Sequence, residues 1–343
     1  MKKIFKNVLA LALMVCIFSG CGNNTTQNNK SGEKNINKAE ERIELSLFAG
    51  SVPQKTPTGI ALKAMADYIN ENSDGTLTAV DYYDTELGDG GSMVQGLQQG
   101  TIDIGVTGTA YYSGLVPEIE IYQLPFLFDS LEEARNAVDG PSSEVLFKLF
   151  EDKDIVGLSF WENGFRQLTN NVRKINTPDD MKGIKLRSLP SEIHLATWKA
   201  LGAVPTTIDA GELYTALQQG TVEGQENPYH EIAARKLYEI QDYATETNHV
   251  YTPFFMAISK KTWDKLDDSQ KNIVKKAAEE GKKIQRAENN KSNEAAKKEL
   301  LDNGVKINEN PDVEAFKKIA VDQWHIYTDK YGSELLDQIT EGK

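Results

Sequence analysis

A five-residue run occurs twice in this chain, and it constrains the fold more than any single segment does. Leu97-Gln98-Gln99-Gly100-Thr101 returns unchanged as Leu217-Gln218-Gln219-Gly220-Thr221. Each copy closes a helical stretch on glycine, the residue that takes the left-handed position after a helix without a Cβ penalty. An apolar residue and an acid follow, Ile102-Asp103 and Val222-Glu223. A small polar loop comes next, Thr107-Gly108-Thr109 and Gln225-Glu226-Asn227. Ligands of open α/β sheets sit outside the carboxyl ends of the strands. Two lobes carrying the same unit would face such loops at each other across a cleft; the plainer alternative is coincidence, since five residues is short and helix–Gly–strand is common.

The surrounding chain fits that frame. From Ile43 onward strand-like and helix-like segments alternate, the pattern of an α/β fold. Strands are expected at 43–48, 77–83, 102–106, 155–160, 184–188 and 251–259, and helices at 59–72 and 92–99. Residues 269–303 are rich in Lys, Glu and Ala and free of proline. At 1.5 Å per residue they predict a helix roughly 50 Å long, enough to span both lobes. Gly281 within it is read as a bend or break.

The first 20 residues read as an export signal. Lys2, Lys3 and Lys6 precede an uncharged apolar run, Val8 to Phe18. That run falls short of the ~20 apolar residues a permanent span needs. Ser19-Gly20-Cys21 then looks like a lipobox, with Cys21 acylated as the new N-terminus; Phe18 departs from the usual leucine, and the rival Cys16 follows a branched Val15. An ordinary secretory signal is the plainer alternative. Residues 21–41 bury almost nothing and read as a flexible tether holding a globular body off a lipid surface. With both cysteines in this region, neither disulfides nor cysteine metal sites are expected in the body. Losing the three leader lysines takes the formal charge from −13 to −16. So acidic a body suits neither nucleic acid nor anionic lipid. An anionic ligand would need a local cationic site.

Catalytic signatures are missing: there is no GxSxG, P-loop, HExxH or CxxC. His194, His230, His249 and His325 show no metal-ligand spacing. Asp179-Asp180 follows Thr177-Pro178 and reads as the first turn of a capped helix, where acids complement the dipole. Arginine is more telling. The chain has seven arginines against 31 lysines, yet Arg166, Arg173 and Arg187 fall within 22 residues. Arginine's planar fork grips a carboxylate with two parallel hydrogen bonds. Arg187 ends a predicted strand, where a cleft would lie. Arg166 follows the aromatic-rich Trp161-Glu162-Asn163-Gly164-Phe165. Each alone is as consistent with a surface ion pair; together they point to a carboxylate clamp.

From about Arg42 to the C-terminus the chain resembles the substrate-binding component of TRAP (tripartite ATP-independent periplasmic) transporters of the DctP type. The stretches that carry the resemblance are Asn163-Gly164-Phe165-Arg166, Asp180-Met181-Lys182-Gly183-Ile184-Lys185-Leu186-Arg187, Glu212-Leu213-Tyr214-Thr215-Ala216-Leu217-Gln218-Gln219-Gly220 and Glu223-Gly224-Gln225-Glu226-Asn227-Pro228. The resemblance implies a two-lobe, periplasmic-binding-protein-like α/β fold with crossing hinge strands and a long helix spanning both lobes. On that fold, residues 42–163 and 252–292 would form lobe I, and 164–251 and 293–343 lobe II. It further implies that Arg187 makes the bidentate salt bridge to a ligand carboxylate, with Arg166 in support and Asn227 lining the cleft. Asn163, Gln225 and Thr109 are further candidates to meet the ligand. Sialic acid-binding members carry phenylalanine where this chain has Ala210 and glutamate where it has Gly108, so sialic acid is not expected.

The expected function is therefore a non-catalytic, lipid-anchored extracytoplasmic receptor. It would deliver a small organic acid (a C4-dicarboxylate, related carboxylate or uronate) to integral-membrane TRAP subunits. No cofactor, metal or nucleic acid is expected. An ABC-type solute-binding lipoprotein is the alternative within binding proteins, and a surface hydrolase on a similar scaffold the alternative among enzymes.

Overall fold

The computed structural model describes residues 42–341. The expected leader, Cys21 and the tether lie outside these residues.

Two sheets organise the chain. The first has the order β2-β1-β3-β10-β4, with β1 (Ile43–Gly50), β2 (Leu77–Asp84), β3 (Ile104–Gly108), β4 (Ile155–Phe165) and β10 (Tyr251–Ser259). β1 runs parallel to β2 and β3, and β10 is antiparallel to both its neighbours. The second has the order β11-β9-β5-β8-β6-β7, with β5 (Gln167–Asn170), β6 (Lys185–Ser188), β7 (Val204–Thr207), β8 (Gly224–Asn227), β9 (Tyr243–Thr245) and β11 (Lys306–Asn308). Both sheets are mixed and both carry helices, which is the expected two-lobe α/β architecture.

The repeated run performs the same task in each lobe. Gly100 and Gly220 adopt φ of 73° and 70°, reversing the chain after the helices Gly90–Gln99 and Leu213–Gln218. Each reversal leads into an interior strand, β3 in one sheet and β8 in the other. Thr107 and Gly108 at the end of β3 and Asn227 at the end of β8 line the same cavity.

Two strand connections cross between the lobes side by side. β4 passes through Arg166 directly into β5, and β9 returns through 246–250 into β10. The Arg166 amide donates to the Val250 carbonyl at 3.0 Å, carrying the β4–β10 ladder into the crossing.

A third link is the helix Asp268–Asp302. Its first half puts Val274, Ala277 and Ala278 into the core of the first lobe, beside Leu62, Met65 and Trp161. Its far end puts Ala296 and Leu300 into the second, beside Leu213 and Ile232. Midway, Gln285 and Asn289 bind β4: Gln285 Oε1 accepts from the Glu162 amide at 3.0 Å, and Asn289 Nδ2 donates to the Glu162 carboxylate at 2.6 Å. The helix is continuous, so the expected break at Gly281 does not occur. A Cβ there would lie 2.5 Å from the Trp161 ring, and glycine is present to let helix and indole approach.

The chain end differs from the expected boundary. The helix Val313–Val321 packs in the second lobe through Phe316 and Ala320, but Tyr327 and Ile339 join the first-lobe cluster around Leu146 and Phe150. Tyr327 also donates to the Glu118 carbonyl at 3.0 Å. An apolar face on each of these last short helices draws the chain back across, so 293–343 is not confined to one lobe.

Candidate ligand-binding site

The crossing and the two strand ends line a small cavity of about 40 Å³. Arg187 is the third residue of β6. Its neighbour Leu186 is buried in the apolar core, and alternation along the strand sends Arg187 the other way. The side chain is fully buried and lines the cavity. Nε donates to the Ile208 carbonyl at 2.8 Å, while Nη1 and Nη2 are buried without a partner. Burial pulls this guanidinium below its ordinary pKa, yet arginine stays charged in proteins. A buried unpaired cation is costly. Two parallel N–H groups with no acceptor match the two oxygens of a carboxylate.

Arg166, the residue between β4 and β5, is built differently. Its Nε donates to Glu226 Oε2, and its Nη2 donates to Glu226 Oε1 at 3.1 Å, the Glu226 carbonyl at 2.5 Å and Asn227 Oδ1 at 2.9 Å. Only Nη1 is lightly held, 3.4 Å from Thr252 Oγ1. Burial alone would raise the Glu226 carboxyl, but Arg166 and His249 outweigh it and hold it well below the usual carboxylate range. His249 Nε2 lies 3.2 Å from Glu226 and Nδ1 lies 2.7 Å from Thr247 Oγ1. The carboxylate can only accept, so Nε2 carries the proton and Nδ1 accepts from the threonine. Burial lowers the pKa of His249 and keeps the ring neutral.

The remaining sequence candidates fall into two layers. Asn163 and Asn227 line the cavity. The Asn227 amide has a partner on each polar atom, accepting from Arg166 on Oδ1 and donating from Nδ2 to Gln225 Oε1 at 2.6 Å. Gln225 stands behind it, donating to Thr169 Oγ1 at 2.7 Å. Thr109 is likewise behind the wall and accepts from Gln123 Nε2. Arg173, the third arginine of the sequence cluster, is elsewhere: it donates to the carbonyls of Asp180 (2.8 Å) and Lys182 (2.6 Å). The Asp179-Asp180 pair caps its turn as expected, with Asp180 accepting from the amides of Asn176 and Thr177 at 2.9 Å.

Several residues not anticipated from sequence complete the site. Arg235 pairs through Nε with Glu231 at 3.1 Å, then reaches the Ala210 carbonyl (3.0 Å) and, in the other lobe, the Ser51 carbonyl (2.6 Å). Asp209 accepts from Ser51 Oγ at 2.9 Å and from Tyr111 OH at 2.8 Å, again across the cleft. Burial, with Asp209 nearby, pushes the Tyr111 hydroxyl up to about 12 despite Arg187, so it remains a donor. Arg235 is also one of the seven arginines, but it lies 48 residues beyond Arg187, outside the cluster that marks the site in the sequence.

A cleft with one unpaired buried arginine fork suits a receptor for an acid. The family model described as bacterial extracellular solute-binding protein, family 7 (DctP), matches residues 48–330. The chain belongs to this family. A solute-binding protein of Verminephrobacter eiseniae is 32% identical over 289 residues, covering 84% of this chain and 86% of its own. The crystal structure of a TRAP periplasmic solute-binding protein from a Polaromonas species, bound to D-erythronate, matches with a TM-score of 0.83 at 31% identity. It covers 87% of this chain and 98% of that one. The sugar acid-binding protein DctPAm of Advenella mimigardefordensis, in complex with galactonate, has a TM-score of 0.81 at 34% identity, covering 88% and 96%. In this DctP-family chain Gly108 and Ala210, the two positions read against sialic acid, both line the cavity.

Proposed function

We propose that this chain is an extracytoplasmic TRAP receptor that captures a small organic acid by its carboxylate on Arg187. The two buried, unpartnered N–H groups of that residue carry the proposal. The ligand carboxylate would take both, and Arg166, already paired with Glu226, would support it through the lightly held Nη1. Closure of the lobes would then form the contacts of Asp209 and Arg235 with Ser51 and Tyr111. Excluding water strengthens the salt bridge, and desolvation offsets part of the gain. The closed receptor would dock on the transporter's membrane subunits and release its acid there, taking no part in covalent chemistry. Cys21, acylated after removal of residues 1–20, would hold it at the membrane through the 21–41 tether. Mass spectrometry of the mature N-terminus tests that anchor separately.

The decisive test is calorimetry with protein refolded free of copurified ligand. Arg187→Ala should weaken acid binding by about 2–5 kcal/mol, the scale for a buried charged contact losing one partner. Arg187→Lys should fall between, because it keeps a charge and loses the fork. Near-normal affinity in Arg187→Ala would falsify the assignment.

A further inference from the structure

Among the described residues lining the cavity, five buried side-chain atoms have no partner. Two are donors, Nη1 and Nη2 of Arg187; three are oxygens, Oε1 of Gln123, Oδ1 of Asn163 and Oε1 of Glu231. The other cations there are already engaged. Arg166 is paired with Glu226, and Arg235 with Glu231 Oε2 and two carbonyls. Glu231 Oε1 has no hydrogen-bond partner; His230 Nε2, itself unpartnered, lies 3.9 Å away, beyond hydrogen-bonding distance.

We infer that the ligand is a polyhydroxy monocarboxylate, an aldonate- or uronate-like acid, rather than an unsubstituted dicarboxylate. The inference rests on the carboxylate-capture reading above and deepens it. One carboxylate satisfies the Arg187 fork. Every other unmet group is an acceptor, and an acceptor needs a donor such as a hydroxyl. A second carboxylate only accepts; it would confront the Glu231 oxygen with no unpaired cation to receive it. The amides of Gln123 and Asn163 can rotate to present N–H instead, and a hydroxyl serves either orientation. Glu231 cannot become a donor by rotation, so it decides the class. The three oxygens come from separate segments, at 123, on β4 and on the helix Tyr229–Ala234. That spacing calls for hydroxyls along the ligand rather than a single one.

The test compares matched acids on refolded, ligand-free wild-type protein by calorimetry: D-erythronate against succinate, and D-gluconate and D-glucuronate against adipate. The best hydroxylated acid should bind at least about 100-fold tighter than its dicarboxylate counterpart, since a site built to bond hydroxyls rejects analogues lacking them. Glu231→Gln should narrow that gap by about tenfold, the scale of one such hydrogen bond. Succinate or adipate binding as tightly as its hydroxylated partner overturns this inference and leaves Arg187 capture standing. No binding by any acid overturns both. The wild-type comparison decides the matter even where Glu231→Gln fails to fold.

Discussion

The two walls of the cleft are made of different materials. Every charged side chain lining the cavity (Arg187, Arg235, Glu231 and, at the crossing, Arg166) comes from the second lobe or its junction. The first lobe contributes Ser51, Thr107, Gly108, Ala110, Tyr111, Gln123 and Phe254, none of them charged. The difference separates capture from closure. A charged wall can be organised in advance, Arg166 and Arg235 by their carboxylate partners and Arg187 by its strand and the Ile208 carbonyl. A neutral wall can then move over it without stripping water from further ions, the costliest part of burial. The capturing lobe therefore carries electrostatic strain, and the covering lobe carries shape and hydroxyl contacts.

Breaking the charged wall at its base should produce the largest change. Glu226 is fully buried and is the counter-ion of Arg166. Glu226→Ala leaves that guanidinium unpaired, and removing one partner of a buried pair costs about 3–5 kcal/mol. Urea unfolding should show the loss with or without acid present. Arg187→Met should do the reverse in ligand-free protein, raising the midpoint, because it deletes a buried cation that has no counter-ion. A destabilised Arg187→Met would mean that the fork has a structural duty within the fold.

Acid should expose the same asymmetry. His194, His230 and His249 are buried in the second lobe, and burial lowers all three pKa values, that of His194 to about 3. A histidine depressed in the folded state protonates first in the unfolded chain, at its ordinary value of 6.5. Its stabilising contribution is complete above that pH and declines as pH falls toward the folded value. Glu226, also depressed, adds its loss only below the ordinary carboxylate range near 4.5. Between pH 7 and 5 we therefore expect the second lobe alone to loosen. Amide exchange, corrected for its intrinsic pH dependence, should lose protection in β5, β6 and β8 while β1 and β3 hold theirs. Equal loss in both sheets would remove the histidines as the cause.

How far the sequence revealed this division depends on how local each signal is. The paired glycine reversals are written within five residues, so the two lobes and the loops that meet between them could be read directly. The place of Arg187 in the cavity wall was legible because a scarce residue type stood at the end of a predicted strand. Gln225 was placed one layer too far forward. It lies two residues before the end of β8, about 7 Å deeper along the strand, and Asn227 covers it from the cleft. The contact of Arg235 with Ser51 spans 184 residues and exists only when the lobes meet. Gly281 was misread because its partner, Trp161, is 120 positions away; substitution there acts between elements. Gly281→Ala should lower stability by about 1–3 kcal/mol through overpacking against that indole. Trp161 fluorescence should report the displacement.

The smallest effect should come from the neutral wall. Tyr111 donates to Asp209 across the cleft and accepts from the Ala210 amide at 3.3 Å. Tyr111→Phe keeps the ring and removes both bonds, but Asp209 retains Ser51 Oγ at 2.9 and 3.0 Å. The change should therefore be near 1 kcal/mol, about fivefold in affinity. It should also appear in one rate constant. If capture on Arg187 precedes closure, as proposed, association should be unaltered while dissociation quickens, which stopped-flow measurement with a bound acid resolves. Slower association instead would place Tyr111 in the capturing wall and erase the boundary between the two surfaces.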